Sequence, residues 1–433
     1  MKTILPKGHK KLLNAWAFYD WANSVYSLTI VSAVFPIFYG TLFLKGETIE
    51  VFGAEIRSTP LINYATTIGF VIVSVASPIL SGIADYIGNK KVFMKFFNYI
   101  GALSCVGLYW FSKDHIYISL FFYIMALVGY WGSIVFYNSY LPDIAFSEQH
   151  DRISAKGYSL GYIGSVILLI INLAMVMMAK NEQASIEAMR YSFIMVGIWW
   201  ILFSQISYYY LPKGNTTGHK ITKDVFFKGF KEIKQVWTIM SNNIRLKKYL
   251  IAFFVYSMAV QTVMLVAVYF GEQEINWGDD GEKTMGLIIS ILIIQLVAVL
   301  GAIITSRCSE RFGNIKTLIV INIIWAFICI YAYFMTESIH FYVAAGVVGL
   351  VMGGVQALSR STYSKFLPET EDTTSFFSFY DVTEKIGIVI GMAIYATVDL
   401  VTGSMRNATM FLIVFFIIGI ILLFRVPKSD EQE

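Results

Sequence analysis

Polar side chains are sparse in the long apolar runs of this chain, and several fall at helical spacing. Asp20, Asn23, Ser24 and Ser27 stand at i, i+3, i+4 and i+7, so one helix face carries a carboxyl, an amide and two hydroxyls. Gln356, Arg360 and Tyr363 follow at i, i+4 and i+7, and a guanidinium presents a planar fork of donors suited to a carboxylate or phosphate. Tyr380 with Glu384 and Asp381 with Lys385 are each four residues apart. The second pair has the spacing of a helical ion pair, and Glu384, outside it, is a candidate proton carrier. A charge inside a membrane-spanning helix costs about 3 kcal/mol on insertion scales. Each such group therefore marks a solute or ion pathway, or a buried structural contact.

The two uses stay side by side for individual residues. Asp20 is close to the start of its run, which suits a gate or helix-end partner and, secondarily, a midplane ligand. Arg360 either grips a substrate carboxylate or pairs with Asp381 or Asp143 as a gate; Gln356, one turn deeper, is the midplane candidate. Asn138 and Gln261 are polar groups expected to face a cavity or to join helices. Tyr130 and Trp131 stand out because Gly129 and Gly132 flank them. Enzyme chemistry has no foothold: there is no Walker loop, no His/Cys metal-ligand spacing and no nucleophile elbow. No metal or cofactor is expected, and Cys105, Cys308 and Cys329 read as small apolar side chains. A net charge of +4 is too small to suggest nucleic acid.

Elements long enough to position these residues are supplied by apolar runs. Of 433 residues, 57% are hydrophobic and 14% charged, with mean hydropathy +0.63. A soluble domain carries about a quarter charged residues, so lipid is the expected solvent and partner. Runs able to cross a ~30 Å hydrocarbon layer fall near 14–44, 60–84, 91–112, 115–141, 157–179, 189–211, 248–271, 284–306, 315–335, 339–366, 376–400 and 407–425. The first follows Lys10 and Lys11 and contains Asp20 and Asn23, which marks a retained helix rather than a cleaved signal. The 33 Lys and Arg fall on the side holding both termini, except Lys45, Arg57, Lys113, Lys180, Arg190, Lys283 and Arg406. That bias makes the terminal side cytoplasmic. The long polar interval at 212–247 carries Phe226, Phe230, Ile233, Trp237 and Met240 at helical spacing among lysines. This is an amphipathic helix expected on the cytoplasmic membrane face. Its length rules out a nucleotide-binding domain, so gradients must drive any transport.

Two segments repeat. Ser81-Gly-Ile-Ala-Asp85-Tyr-Ile-Gly88-Asn89-Lys90-Lys91 matches Ser306-Arg-Cys-Ser-Glu310-Arg311-Phe-Gly313-Asn314-Ile-Lys316 at an offset of 225, and Leu141-Pro142-Asp143 matches Leu367-Pro368-Glu369 at 226. Nearly one offset at equivalent topological places indicates duplication. The expected fold is all-α and integral to the membrane: twelve transmembrane helices in two pseudo-symmetric six-helix bundles. The expected division is residues 1–211, a linker at 212–247, and residues 248–433. A parallel repeat of six spans is the arrangement of major facilitator transporters, whose substrates bind near the bilayer midplane.

The first repeat resembles the loop motif of that superfamily in Asp85, Gly88, Lys90 and Lys91, with Ser81 and Tyr86 departing from it. Glu310, Arg311 and Gly313 form the second copy. The physical role expected for both is a latch, a carboxylate bonded to cations or to a helix N-terminus. A narrower resemblance joins the chain to the unknown major facilitator family 1, a branch related to vacuolar amino-acid effluxers. It rests on Trp16-Ala-Phe-Tyr-Asp20-Trp21-Ala-Asn23-Ser24, Phe136-Tyr137-Asn138-Ser139-Tyr140-Leu141-Pro142-Asp143, Ile153-Ser154-Ala155-Lys156-Gly157-Tyr158, Gly353-Gly354-Val-Gln356-Ala-Leu-Ser359-Arg360-Ser361 and Phe376-Phe377-Ser378-Phe379-Tyr380-Asp381. It implies a transporter of a small polar solute, such as an amino acid, working by alternating access; a monomer is expected, and the excess of lysine over arginine points to a plasma (inner) membrane. Uniport, proton symport and proton antiport all remain open. So do a non-transporting receptor or scaffold, and a lipid translocator on the same fold.

Overall fold

Among the described residues of the computed structural model, twelve helices are long and apolar enough to span a membrane: Lys10–Leu42, Pro60–Ile87, Lys90–Trp110, Ile116–Ile144, Ser147–Met177, Glu182–Tyr210, Ile244–Glu274, Glu282–Phe312, Asn314–Phe334, Ser338–Phe366, Thr373–Thr402 and Met405–Phe424. They are called the first to twelfth spans below. The structure describes residues 5–43, 47–213, 225–278 and 280–428. Lys2, Lys45 and linker residues 214–224 therefore lie outside the described residues, as do the side chains of Phe226 and Lys228.

Each apolar run forms its expected helix, and several helices extend past the run into polar sequence. The fifth begins well before residue 157 because Asp151 and Ser154 are buried, 2% and 0% exposed, against protein rather than lipid. The first span is not uniform: residues Tyr26–Ala33 form a π-helical turn between α-helical ends. Beyond it, an antiparallel hairpin pairs Thr48–Val51 with Ala54–Arg57. Phe52 and Gly53 make its turn with positive φ at both positions, as the right-handed strand twist favours.

The chain packs as two compact units. One comprises residues 1–140, 160–233 and 371–378, the other residues 141–159, 234–370 and 379–433. The 141–159 and 371–378 pieces thus pack with the opposite unit from the one their place in sequence suggests. The linker helix is Val225–Asn242. Val236 and Met240 form its buried contacts, while Phe227, Phe230 and Trp237 are exposed; Trp237 lies 5.6 Å from the Phe379 ring. The expected apolar face thus splits, one edge to protein and the other outward. On the same helix Glu232 is held above the ordinary carboxylate range by partial burial and by Asp372. Burial and the neighbouring Glu371 raise Asp372 in turn.

Helix contacts rely on small residues, since lipid offers no hydrophobic drive between helices. In the second unit a Cβ at Gly353 would lie 2.1 Å from the Ala298 carbonyl oxygen, and one at Gly301 would lie 2.0 Å from that of Leu350. The eighth and tenth spans therefore meet backbone to backbone. Gly353→Val should lower stability by about 3 kcal/mol, the upper range for overpacking. A denaturation midpoint in detergent equal to wild type would contradict so close a contact.

Candidate functional site

In the first unit, Asp20 is 6% exposed and accepts a 2.8 Å hydrogen bond from the Tyr137 hydroxyl. Trp16 fixes that tyrosine by stacking at 4.6 Å and by donating its Nε1 to the Tyr137 carbonyl at 2.8 Å. The arrangement ties the start of the first span to the end of the fourth. Asn23 is buried, its Oδ1 accepting from Ser24. Ser27 lies past the start of the π turn and donates to the Ser24 carbonyl, so its hydroxyl caps the backbone. Tyr130 packs against Tyr26 at 4.7 Å and Trp200 at 6.1 Å, as a core residue of the unit. Trp131 keeps partial exposure, 6.0 Å from Phe70, and Asn138 is buried.

Gly88 ends the second span in the left-handed region at φ 69°, a conformation a Cβ disfavours. The reversal presents Asp85 to the start of the eleventh span. The Asp85 carboxylate accepts from the backbone N–H of Thr374 at 3.3 Å and of Ser375 at 2.7 Å, and from the Ser375 hydroxyl at 2.7 Å. An anion on the free N–H groups of a helix start is stabilised by both hydrogen bonds and dipole. Lys90, 5% exposed, donates to the Ser139 carbonyl at 3.0 Å and the Thr373 hydroxyl at 2.8 Å. Lys91 donates to the Leu211 carbonyl at 2.7 Å.

The second copy keeps the turn and moves the acid. Gly313 has φ 87°, yet Glu310 and Arg311 are exposed. The buried carboxylate is Asp151, in the first turn of the fifth span. It accepts from Ser309 Oγ at 2.8 Å, Asn314 Nδ2 at 2.9 Å and Lys365 Nζ at 2.6 Å. The sequence held one signal for it: Asp151 shifted by the repeat offset falls at the start of the eleventh span, where the first turn finds its partners. Nearby, Arg360 is 2% exposed. Its Nε and Nη2 donate to Ser154 Oγ and O, both at 3.0 Å, and its guanidinium stacks on Tyr158 at 4.2 Å. Asp143 is partly exposed.

A second polar group lies deeper in the same unit. Gln261 Nε2 donates to Glu384 Oε1 at 2.7 Å, a partner four-residue spacing did not reveal. Asp381 and Lys385 form the expected buried ion pair. Tyr380 stacks on Phe253 at 4.2 Å and lies 4.8 Å from Tyr363. Between Val351 and Ser364 only Gln356 is not fully buried; Gln261 and Glu384 also keep partial exposure. Gln356 is thus the one partly exposed residue in this stretch of the tenth span. Tyr249 and Tyr256, bonded through Ser359, extend the cluster and were not foreseen.

Twelve spans, paired glycine turns and carboxylates bonded at helix starts are the framework of the major facilitator fold. The chain superposes on the fucose:proton symporter FucP of E. coli with TM-score 0.67, at 14% identity, covering 97% of this chain and 98% of that one. It superposes on the proton:xylose symporter XylE with TM-score 0.72, at 11% identity, covering 97% and 96%. Residues 8–432 match the family described as vacuole effluxer Atg22 like, and the chain belongs to that family. It is 33% identical to the uncharacterized MFS-type transporter YxiO of Bacillus subtilis over 99% of this chain and 97% of that protein. It is 23% identical to autophagy-related protein 22 of Vanderwaltozyma polyspora over 97% and 91%. The chain is thus a transporter and not an enzyme.

Proposed function

We propose that this transporter moves an amino acid or a related small zwitterion, coupled to protons through Glu384. The observation carrying this reading is the Gln261–Glu384 hydrogen bond at 2.7 Å, with the partly exposed Gln356 reaching Met264 at 4.0 Å, about one turn along the seventh span from Gln261. A carboxylate takes an ammonium group, an amide donates to a carboxylate, and the same Glu384 exchanges a proton when the solute leaves. Membership of a family described as effluxers supports a transport reaction, and the class of solute rests on the polar groups named above. Arg360, already donating to Ser154, serves in this reading to fasten the tenth span rather than to grip substrate. Asp85 with Lys90, and Asp151 with Lys365, act as latches that form and break during alternating access. The Lys/Arg bias supports cytoplasmic termini in a plasma membrane, with the 212–247 linker as a tether between the halves of a monomer.

The test is a thermal-shift screen of purified protein against amino acids, dipeptides, sugars and nucleosides. Amino acids should raise the melting temperature of wild type, and Gln356→Ala should remove the shift without lowering the ligand-free midpoint. A shift produced by sugars alone, or one untouched by Gln356→Ala, contradicts the assignment.

A further inference from the structure

A separate cleft lies in the second unit, on the membrane face opposite the chain termini, where the seventh span joins the eighth and the ninth joins the tenth. The two connections are stitched together: Asn276 N–H donates to the Thr336 carbonyl at 2.9 Å, and Asn276 pairs with Glu337 as a parallel bridge. Trp277 is fixed by donating Nε1 to the Gly271 carbonyl at 2.7 Å. Its ring stands on Gly286, where a Cβ would lie 2.1 Å away, and meets Tyr342 edge-on at 5.8 Å. Gly278, at φ 90°, turns the chain so that the Glu282 carboxylate folds back over it, 2.4 Å from where a Cβ would stand. The result is a cleft of about 420 Å³ lined by Trp277, Glu282, Met285, Gly286, Ser338 and Tyr342.

That volume is in the range of small-molecule sites, about 300–1,000 Å³, and the chemistry of the wall is selective. Glu282 is the only ionisable acid or base among the six lining residues besides the weakly acidic Tyr342 phenol; Lys283, next in sequence, is not one of them. The partly exposed Tyr342 ring attracts a cation through its quadrupole, and the Met285 thioether adds a polarizable apolar contact. An anion meets repulsion from Glu282, and a neutral solute gains nothing from it. We propose that this cleft binds an organic ammonium ion bearing an apolar substituent, at a site distinct from the Gln261–Gln356–Glu384 cluster.

The experiment is isothermal titration of the full chain in nanodiscs, at low salt, with benzyltrimethylammonium as cation and benzyl alcohol as neutral counterpart. Wild type should bind the cation and not the alcohol. Glu282→Gln, at an exposed position, should weaken binding at least tenfold. Tyr342→Leu should weaken it about threefold to fivefold, the size of a partly exposed cation–π contact. Equal affinity for the alcohol, or an unaltered affinity in Glu282→Gln, overturns the proposal. Binding lost in Glu384→Gln and kept in Glu282→Gln moves the cation to the other carboxylate and overturns it as well. Because the readout is binding without transport, its failure leaves the proposed transport reaction untouched.

Discussion

Asp151→Ala should destabilise the protein by about 3–5 kcal/mol, the cost of removing one member of a buried ion pair. The carboxylate side chain is 1% exposed and Lys365 22%, so the orphaned ammonium cannot turn fully to water. Ser309 and Asn314 lose the same acceptor, and each unmet buried donor adds to the loss. The attribution to charge is checked by Asp151→Leu combined with Lys365→Met. Removing both ions should recover most of the stability, since a well-packed apolar pair replaces a buried ion pair at little cost. Denaturation midpoints in detergent supply the measurement. A double variant no more stable than Asp151→Ala would mean that the helix start, not the ion pair, sets the energy.

In proteoliposomes, a pH gradient of one unit should sustain up to about tenfold accumulation of a solute coupled to one proton, since one unit is worth 1.36 kcal/mol. Glu384→Gln should reduce that accumulation to none, with solute counterflow recovered only at higher solute concentration. Glutamine keeps the hydrogen-bonding reach toward Gln261 and removes both the charge that meets the ammonium group and the exchangeable proton, so extra solute restores counterflow but not accumulation. Accumulation persisting in the variant assigns the proton to another group; counterflow lost at every solute concentration assigns Glu384 to binding alone.

Apolar run length was enough to place all twelve spans, and the repeated Gly88 and Gly313 turns were visible because only a few residue types tolerate their backbone. The partners of those turns were hidden for a physical reason. Asp151 sits in a polar stretch that resembles a loop, and its burial depends on Ser309, Asn314 and Lys365, each more than 150 residues away. Glu310 matched the repeat by type and position, yet the second turn needs only one acid, and the fifth span provides it. Gln261 and Glu384 likewise meet across 123 residues, beyond anything helical spacing can express. The linker helix was legible as amphipathic, but not the split of its face, because which edge meets protein depends on neighbours such as Phe379.

The π turn at Tyr26–Ala33 sets the first span apart from its counterpart in the repeat. A switch from four- to five-residue hydrogen bonding is what a single inserted residue leaves behind in a continuous helix. The corresponding seventh span, Ile244–Glu274, is unbroken α-helix, so the two copies no longer share one phase along their first helices. The residues preceding the turn and those following it point in directions a strict repeat would not permit. Thr29, wholly buried there, has no hydroxyl partner among the described residues. Deleting one residue between Tyr26 and Ala33 would give the first span the α-helical phase of the seventh, at the expense of whatever the offset now aims.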